Sequence, residues 1–281
     1  MLNPQIANKD VTRHILKTFG IHTSKKLGQN FLVDEAVVNN IVKGAAISSG
    51  DTVLEIGPGI GTLTQGLAET GAEVIAVELD RRLIDVMGKT LSGYSNVRII
   101  HGDILKIDIS REITAKTFKV VANLPYYITT PIVMGLLEQR LPIEVLVTMV
   151  QKEVAERMVA PPGGKDYGAM SVAVQYYTEP SIMFHVPPSA FIPSPKVESA
   201  VIRCLVRSEP PVQVKDEKRF FRVVRASFAQ RRKTLANNLK NVGIADQDVK
   251  DILTEAGIDG TRRGETLSLA EFAAIADAWS K

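Results

Sequence analysis

The chain has 281 residues, enough for one large domain or for one domain with a smaller companion. Its 45% hydrophobic content supplies a core, and at a mean hydropathy of +0.05 it holds no apolar run near the roughly 20 residues that span a bilayer. The formal charge is only +3, and one cysteine (Cys204) with four scattered histidines (His14, His22, His101, His185) excludes internal disulfides, thiolate clusters and a histidine metal motif.

The amino terminus, Met1-Leu2-Asn3-Pro4-Gln5, carries neither a signal pattern nor an Arg-rich presequence, so a cytoplasmic location without a membrane partner is expected. Helical spacing predicts helices over 11–19 and 34–46, the second with Asp34 as its N-cap. Between them Ser24-Lys25-Lys26-Leu27-Gly28-Gln29-Asn30-Phe31-Leu32-Val33 reads as a basic loop. It matters to function only if Asn30 and Phe31 fold back over a ligand.

Thr52–Ile56 reads as a strand that runs into Gly57-Pro58-Gly59-Ile60-Gly61, after which helical spacing resumes through Leu63, Leu67 and Ala68. Glycines let backbone approach a ligand, and the following helix start offers free N–H groups. The spacing is G-x-G-x-G, not the dinucleotide G-x-G-x-x-G, because position 62 is Thr. A second strand over 73–77 ends at Glu78, about twenty residues beyond the loop, where a carboxylate can accept both hydroxyls of a ribose. A third over 97–100 leads to Asp103, placed either to accept from an adenine amine or to serve as a solvated turn residue.

Phe118–Ala122 reads as a buried strand stopped by Asn123-Leu124-Pro125-Tyr126. An amide oxygen, a backbone carbonyl and an aromatic face at a sheet's carboxyl edge suit the holding of a flipped-out base by its exocyclic amine. The bland alternative is an ordinary strand-to-helix turn. A helix over 130–138, a strand over 143–150 and helices over 151–160 and 168–178 follow, with a breaker-rich loop at 160–166 expected to be mobile. Strands over 181–186 and 198–206 flank the proline-rich stretch 187–197, whose Phe191 is either a stacking ring held at low entropic cost or a core plug.

Ser208-Glu209-Pro210-Pro211 marks a domain boundary. Beyond it Phe220, Phe221, Val224 and Phe228 form an apolar stripe beside a basic one of Lys218, Arg222 and Arg225, followed by Arg231-Arg232-Lys233. Nine Lys/Arg less two acids between Lys215 and Lys240 leave +7 there, and from a total of +3 this leaves −4 elsewhere. Such asymmetry points to a polyanion-facing region on a near-neutral body, although a basic helix face can be merely solvated.

Alternating strands and helices over the first two hundred residues predict an α/β fold with a doubly wound, mostly parallel sheet. A nicotinamide dehydrogenase would need the other glycine spacing and a proton-handling residue. A transferase using S-adenosylmethionine uses all the residues above. Here the sequence resembles the ribosomal small-subunit RNA adenine dimethyltransferases, a branch of the Rossmann-like class I methyltransferases. The resemblance rests on Leu27–Leu32, Glu55-Ile56-Gly57-Pro58-Gly59, Glu78, Asp103, Asn123–Tyr126, Phe191–Val197 and Ser227–Leu235.

The resemblance implies a methyltransferase domain over 1–207 and a small all-α, RNA-binding domain over 208–281. It implies cofactor contacts at Asn30, Leu32, Gly57, Gly59, Glu78, Asp103 and Asn123, with Asn123, Leu124, Tyr126 and Phe191 acting on the target adenine and Tyr126 and Phe191 clamping it. RNA contacts are expected at Lys218, Arg222, Arg225, Arg231, Arg232 and Lys233. The implied substrate is a pair of adjacent adenosines in the 3′-terminal hairpin of 16S rRNA, in the small subunit or its precursor. The sequence gives no sign of obligate oligomerisation, so a monomer is expected. Three alternatives compete: an erythromycin-resistance-type enzyme acting on the large subunit, a small-subunit assembly checkpoint with methylation secondary, and a DNA adenine methyltransferase, which leaves the carboxyl-terminal region unexplained.

Overall fold

The runs Val53–Ile56, Val74–Val77 and Val120–Ala122 are buried throughout, as strands covered on both faces of a parallel sheet must be. In the computed structural model, which describes residues 4–23, 28–241 and 244–279, they form the middle of a seven-stranded sheet. The first four residues of the 24–33 stretch, Ser24–Leu27, lie outside the described residues.

The chain opens with helix α1 (Lys9–Thr18), the short strand β1 (Phe31–Leu32) and helix α2 (Glu35–Gly44). Asp34 caps α2 as expected, its Oδ1 accepting from the N–H groups of Ala36 and Val37 at 3.0 and 3.2 Å. There follow β2 (Thr52–Ile56), α3 (Thr62–Ala68), β3 (Glu73–Glu78), α4 (Arg81–Thr90), β4 (Val97–His101), α5 (Ile109–Glu112), β5 (Phe118–Asn123), α6 (Thr129–Glu138) and β6 (Ile143–Gln151). Next come α7 (Lys152–Val159), α8 (Ala169–Tyr177), β7 (Thr178–Val186), β8 (Phe191–Ile192) and β9 (Ser199–Val206).

The strand order is β4-β3-β2-β5-β6-β9-β7. The five from β4 to β6 run parallel, and β9 runs antiparallel to β6. The chain winds outward from β2 through β3 and β4, then returns to the other side of β2 with β5. A crevice therefore opens at the carboxyl ends of β2 and β5, where winding reverses. Register aligns the ends: Ile56 stands beside Val77 on one side and Ala122 on the other. Gly57, Glu78 and Asn123 thus leave the sheet along one edge.

One apolar cluster joins Val53, Val74, Val121 and Met149 of the sheet to Val38 and Ile41 of α2 and Leu67 of α3. Another joins Ile6 and Ile15 to Phe31, Ile60, Leu83 and Met87. The 24–33 and 187–197 stretches, read as loop and proline-rich connection, contribute a two-stranded antiparallel sheet, β1 with β8.

The chain divides into two compact units, Met1–Ala155 with Ser181–Val206, and Glu156–Pro180 with Arg207–Lys281. This differs from a division at 207/208, because residues 156–180 join the carboxyl-terminal helices. Tyr176 and Tyr177 of α8 pack on Phe220 and Phe221 of α9 (Glu217–Ser227), with ring centroids 4.9 Å apart for Tyr176 and Phe220 and 5.4 Å for Tyr177 and Phe221. The Tyr177 hydroxyl donates to Glu217 at 2.7 Å. The second unit is completed by α10 (Leu235–Lys240), α11 (Asp246–Glu255) and α12 (Leu269–Ala278), with α9 packed against α8, α10 and α12. No described helix is long and apolar enough to cross a membrane.

Candidate active site

A single cleft at the switch point is lined by Asn30, Leu32, Gly57, Gly59, Glu78, Asp103, Asn123, Leu124 and Tyr126. Residues drawn from five stretches of sequence thus meet in one place: four follow the ends of parallel strands, which share one edge, and Asn30 and Leu32 come from the β1 segment. Gly57 and Gly59 both adopt positive φ, +68° and +67°. At Gly59 a Cβ would also press on the Phe31 ring at 3.4 Å, so both backbone and space favour glycine there.

Glu78 organises the turn. Its Oε2 accepts the Gly59 N–H at 3.1 Å and its Oε1 the Asp80 N–H at 2.8 Å. Burial raises its pKa despite these bonds. A carboxylate has about four lone-pair sites, and the N–H groups of Gly59, Asp80 and Leu79 draw on three of them, so acceptor capacity is left for a ligand hydroxyl. Asp103 does double duty: Oδ1 accepts the Leu105 N–H at 3.1 Å, while the residue also lines the cleft. The turn reading and the ligand reading of Asp103 are compatible.

Asn123 closes β5, and its Nδ2 donates to the Asn30 carbonyl at 3.3 Å. That bond assigns the amide's ends, leaving Oδ1 as the acceptor. The Leu124 side chain is buried and its N–H donates to Met149 at 3.2 Å, which fixes the peptide whose carbonyl follows. Tyr126 is half-buried, its hydroxyl 2.6 Å from that of Ser199 at the start of β9. Burial raises its pKa, with the Ser199 bond opposing.

Phe191 lies in the core and not on the cleft wall. Its ring is 2% exposed within the apolar cluster of Leu32, Val37 and Val201, and it is absent from the cleft wall. Pairing of β8 with β1 sets Phe191 beside Leu32 and turns it into core.

Glu55 and Tyr127 also line the cleft and carried no role in the sequence reading. Glu55 lies in mid-strand, 1% exposed. Burial pushes its carboxyl up to about 8, with the Thr64 hydroxyl opposing and the charge of Glu78 adding. Its Oε2 and the Thr64 Oγ1 both lack a well-formed hydrogen bond. The available signal was an acid inside an otherwise apolar run. Tyr127, next to Tyr126, is 54% exposed at the rim.

In the second unit Lys218, Arg222 and Arg225 are exposed on one face of α9, opposite the buried Phe220, Val223 and Val224. Arg222 also lies over the Trp279 ring at 4.6 Å. Arg231, Arg232 and Lys233 are exposed on the turn after α9. The buried Asn238 shapes that turn, its Nδ2 donating to the carbonyls of Ser227 and Gln230 at 2.9 and 3.1 Å. Arg231 has a further task, donating to the carbonyls of Lys165 at 2.6 Å and Tyr167 at 3.4 Å. With the Gly163 N–H on the Glu265 carbonyl at 2.7 Å, these bonds pin the stretch expected to be a mobile loop.

Residues 21–278 match the family model described as ribosomal RNA adenine dimethylase. The chain is 52% identical to a ribosomal RNA small subunit methyltransferase A of Geobacillus sp. (strain WCH70), covering 99% of this chain and 98% of that one. It is 47% identical to the protein of the same name from Alkaliphilus oremlandii (strain OhILAs), covering 99% of each. Among solved structures, a dimethyladenosine transferase from Plasmodium falciparum superposes with a TM-score of 0.74 at 27% identity, over 87% of this chain and 95% of that one. The 23S rRNA methyltransferase ErmE gives 0.67, also at 27% identity, over 90% and 100%. A glycine turn, an acidic strand end and an Asn-Leu-Pro-Tyr corner meeting in one cleft are thus accompanied by full-length likeness, and the chain belongs to the ribosomal RNA adenine dimethylase family.

Proposed function

We propose that this chain converts two adjacent adenosines in the 3′-terminal hairpin of 16S rRNA to N6,N6-dimethyladenosine, acting as a monomer on the small ribosomal subunit or its precursor. The observation that carries the reading is the corner Asn123–Tyr126, set in the same cleft as Glu78 and Asp103. The enzyme is an S-adenosylmethionine-dependent rRNA adenine dimethyltransferase.

The cleft fits that cofactor. Glu78 keeps acceptor capacity for a ribose hydroxyl, and the positive-φ backbone at Gly57 and Gly59 leaves no side chain in the way. Asp103, Asn30 and Leu32 complete the wall. When bound, the cofactor supplies an electrophilic methyl group on a sulfonium.

The chain's own residues do the rest. Adenine N6 is a weak nucleophile because its lone pair is delocalised into the ring. Asn123 Oδ1 and the Leu124 carbonyl accept its N–H groups, which favours a pyramidal nitrogen and stabilises the positive charge that grows on it. Tyr126 offers the base a fixed aromatic wall, held by Ser199. Alignment substitutes for a strong base, since the proton leaves readily once nitrogen carries positive charge. After the first transfer one N–H remains, so the second transfer uses one acceptor fewer and needs space for the methyl already present.

Action on the large subunit is the competing reading, prompted by ErmE. Its 27% identity stands against 52% for the small-subunit relative, and the small-subunit reading is favoured. Incubation with cofactor and either undermethylated small subunits or large subunits, followed by mass-spectrometric mapping, tests this. Dimethyladenosine in the small-subunit hairpin supports it; modification confined to the large subunit overturns it.

A further inference from the structure

Tyr126 and Tyr127 are neighbours in sequence with opposite fates. They open the short 3-10 turn Tyr126–Ile128, in which successive side chains are about 120° apart. Tyr126 is turned toward Ser199, whereas Tyr127, at 54%, is the most exposed of the large hydrophobic side chains among the described residues. Its ring is nevertheless placed. Gly28, at φ +58°, lies against it so closely that a Cβ there would stand 3.2 Å from the ring's Cδ1 and 3.6 Å from its Cε1. The exposed Leu79 lines the same cleft.

An aromatic ring backed by backbone and open to solvent suits a nucleic-acid base. Unpaired bases stack on such rings whatever their sequence, because every base presents a π-face. A base drawn into the cleft disrupts the stacking of its neighbour, which emerges at the rim. With Phe191 in the core, Tyr127 is the aromatic side chain that the rim presents.

We propose that Tyr127 is a specificity residue, the platform on which the purine flanking the reacting adenosine stacks. The proposal rests on the substrate reading above, adjacent adenosines in RNA, and adds to it how the second adenosine is recognised while the first reacts.

The test uses the full-length chain and small subunits reconstituted with unmodified rRNA, either natural or with one of the two adenosines replaced by uridine. Initial rates are measured against subunit concentration, and methyl groups are mapped by mass spectrometry. Tyr127→Ala is expected to raise KM for natural subunits on the order of tenfold, and Tyr127→Phe to keep the native value. Loss of the flanking adenosine is expected to slow the native enzyme but to add little in Tyr127→Ala. An unchanged KM, or an equal uridine penalty in both enzymes, overturns the proposal. So does a matching loss of affinity for S-adenosylhomocysteine by calorimetry, which would place Tyr127 on the cofactor instead. If the native enzyme itself leaves both adenosines unmodified, the substrate reading fails and takes this proposal with it.

Discussion

The Asn123 side chain donates to the carbonyl of Asn30, 93 residues away in sequence, across 3.3 Å. One bond thereby orients the acceptor expected to meet the adenine amine and ties it to the stretch that follows Gly28. Asn123→Ala removes both the acceptor and its tether. Loss of one preorganised acceptor costs on the order of 100- to 1000-fold in rate, so both methyl transfers are expected to fall by about that factor. Mass spectrometry of digested RNA reads mono- and dimethyladenosine separately; native yields of dimethyladenosine would remove Asn123 from the chemistry.

Glu55 predicts a pH dependence of stability. Its carboxyl ionises near 8 when folded, against an ordinary value of 4.5, chiefly because it is buried, with Thr64 and Glu78 the groups facing it. Between those values the folded chain keeps a proton that the unfolded chain has released. Stability contributed by this group therefore falls as pH rises from about 4.5 to about 8 and is level above. Glu55→Gln cannot ionise, so its melting temperature is expected to gain on the native protein by several degrees across that range. Parallel melting curves at pH 5 and pH 8 would contradict this.

The basic face of α9 predicts salt dependence. Lys218, Arg222 and Arg225 are exposed there, and phosphate contacts made by all three would steepen the salt response of binding. Reversing all three to Glu is expected to weaken binding to small subunits by at least tenfold at low salt. The slope of log affinity against log salt should drop by roughly two to three. Filter binding across a salt series measures both, and an unaltered slope would reduce this face to a solvated surface.

Arg231 is expected to behave differently from its neighbours. Because it holds the carbonyls of Lys165 and Tyr167, Arg231→Ala should loosen residues 161–166 and speed limited proteolysis there several-fold. Arg232→Ala should leave the cleavage rate alone and lower RNA affinity. Equal cleavage rates in the two variants would show that the loop is held by other contacts.

The acidic residues Glu78 and Asp103, the glycine turn and the Asn123–Tyr126 corner were legible in sequence because strand periodicity placed each at a strand end. Parallel strands then put all such ends on one edge. The basic face of α9 was legible for a similar reason, since helical spacing separates Lys218, Arg222 and Arg225 from Phe220, Phe221 and Val224 without reference to anything distant. Single-chain patterning of this kind depends only on local periodicity, so it also located Asp34 as a cap.

Only the tertiary structure decided what depends on partners remote in sequence. Pairing of β8 with β1 sends Phe191 into the core, and a Ser199 hydroxyl turns Tyr126 inward while Tyr127 stays out. Rings packed on Phe220 and Phe221 carry residues 156–180 into the second unit. The Glu55 carboxyl is pushed up to about 8 because the folded chain strips water from it. Spacing along the chain records which face a residue occupies. What that face meets is set by long-range packing, and packing decides whether a ring is buried in the core or left at the surface.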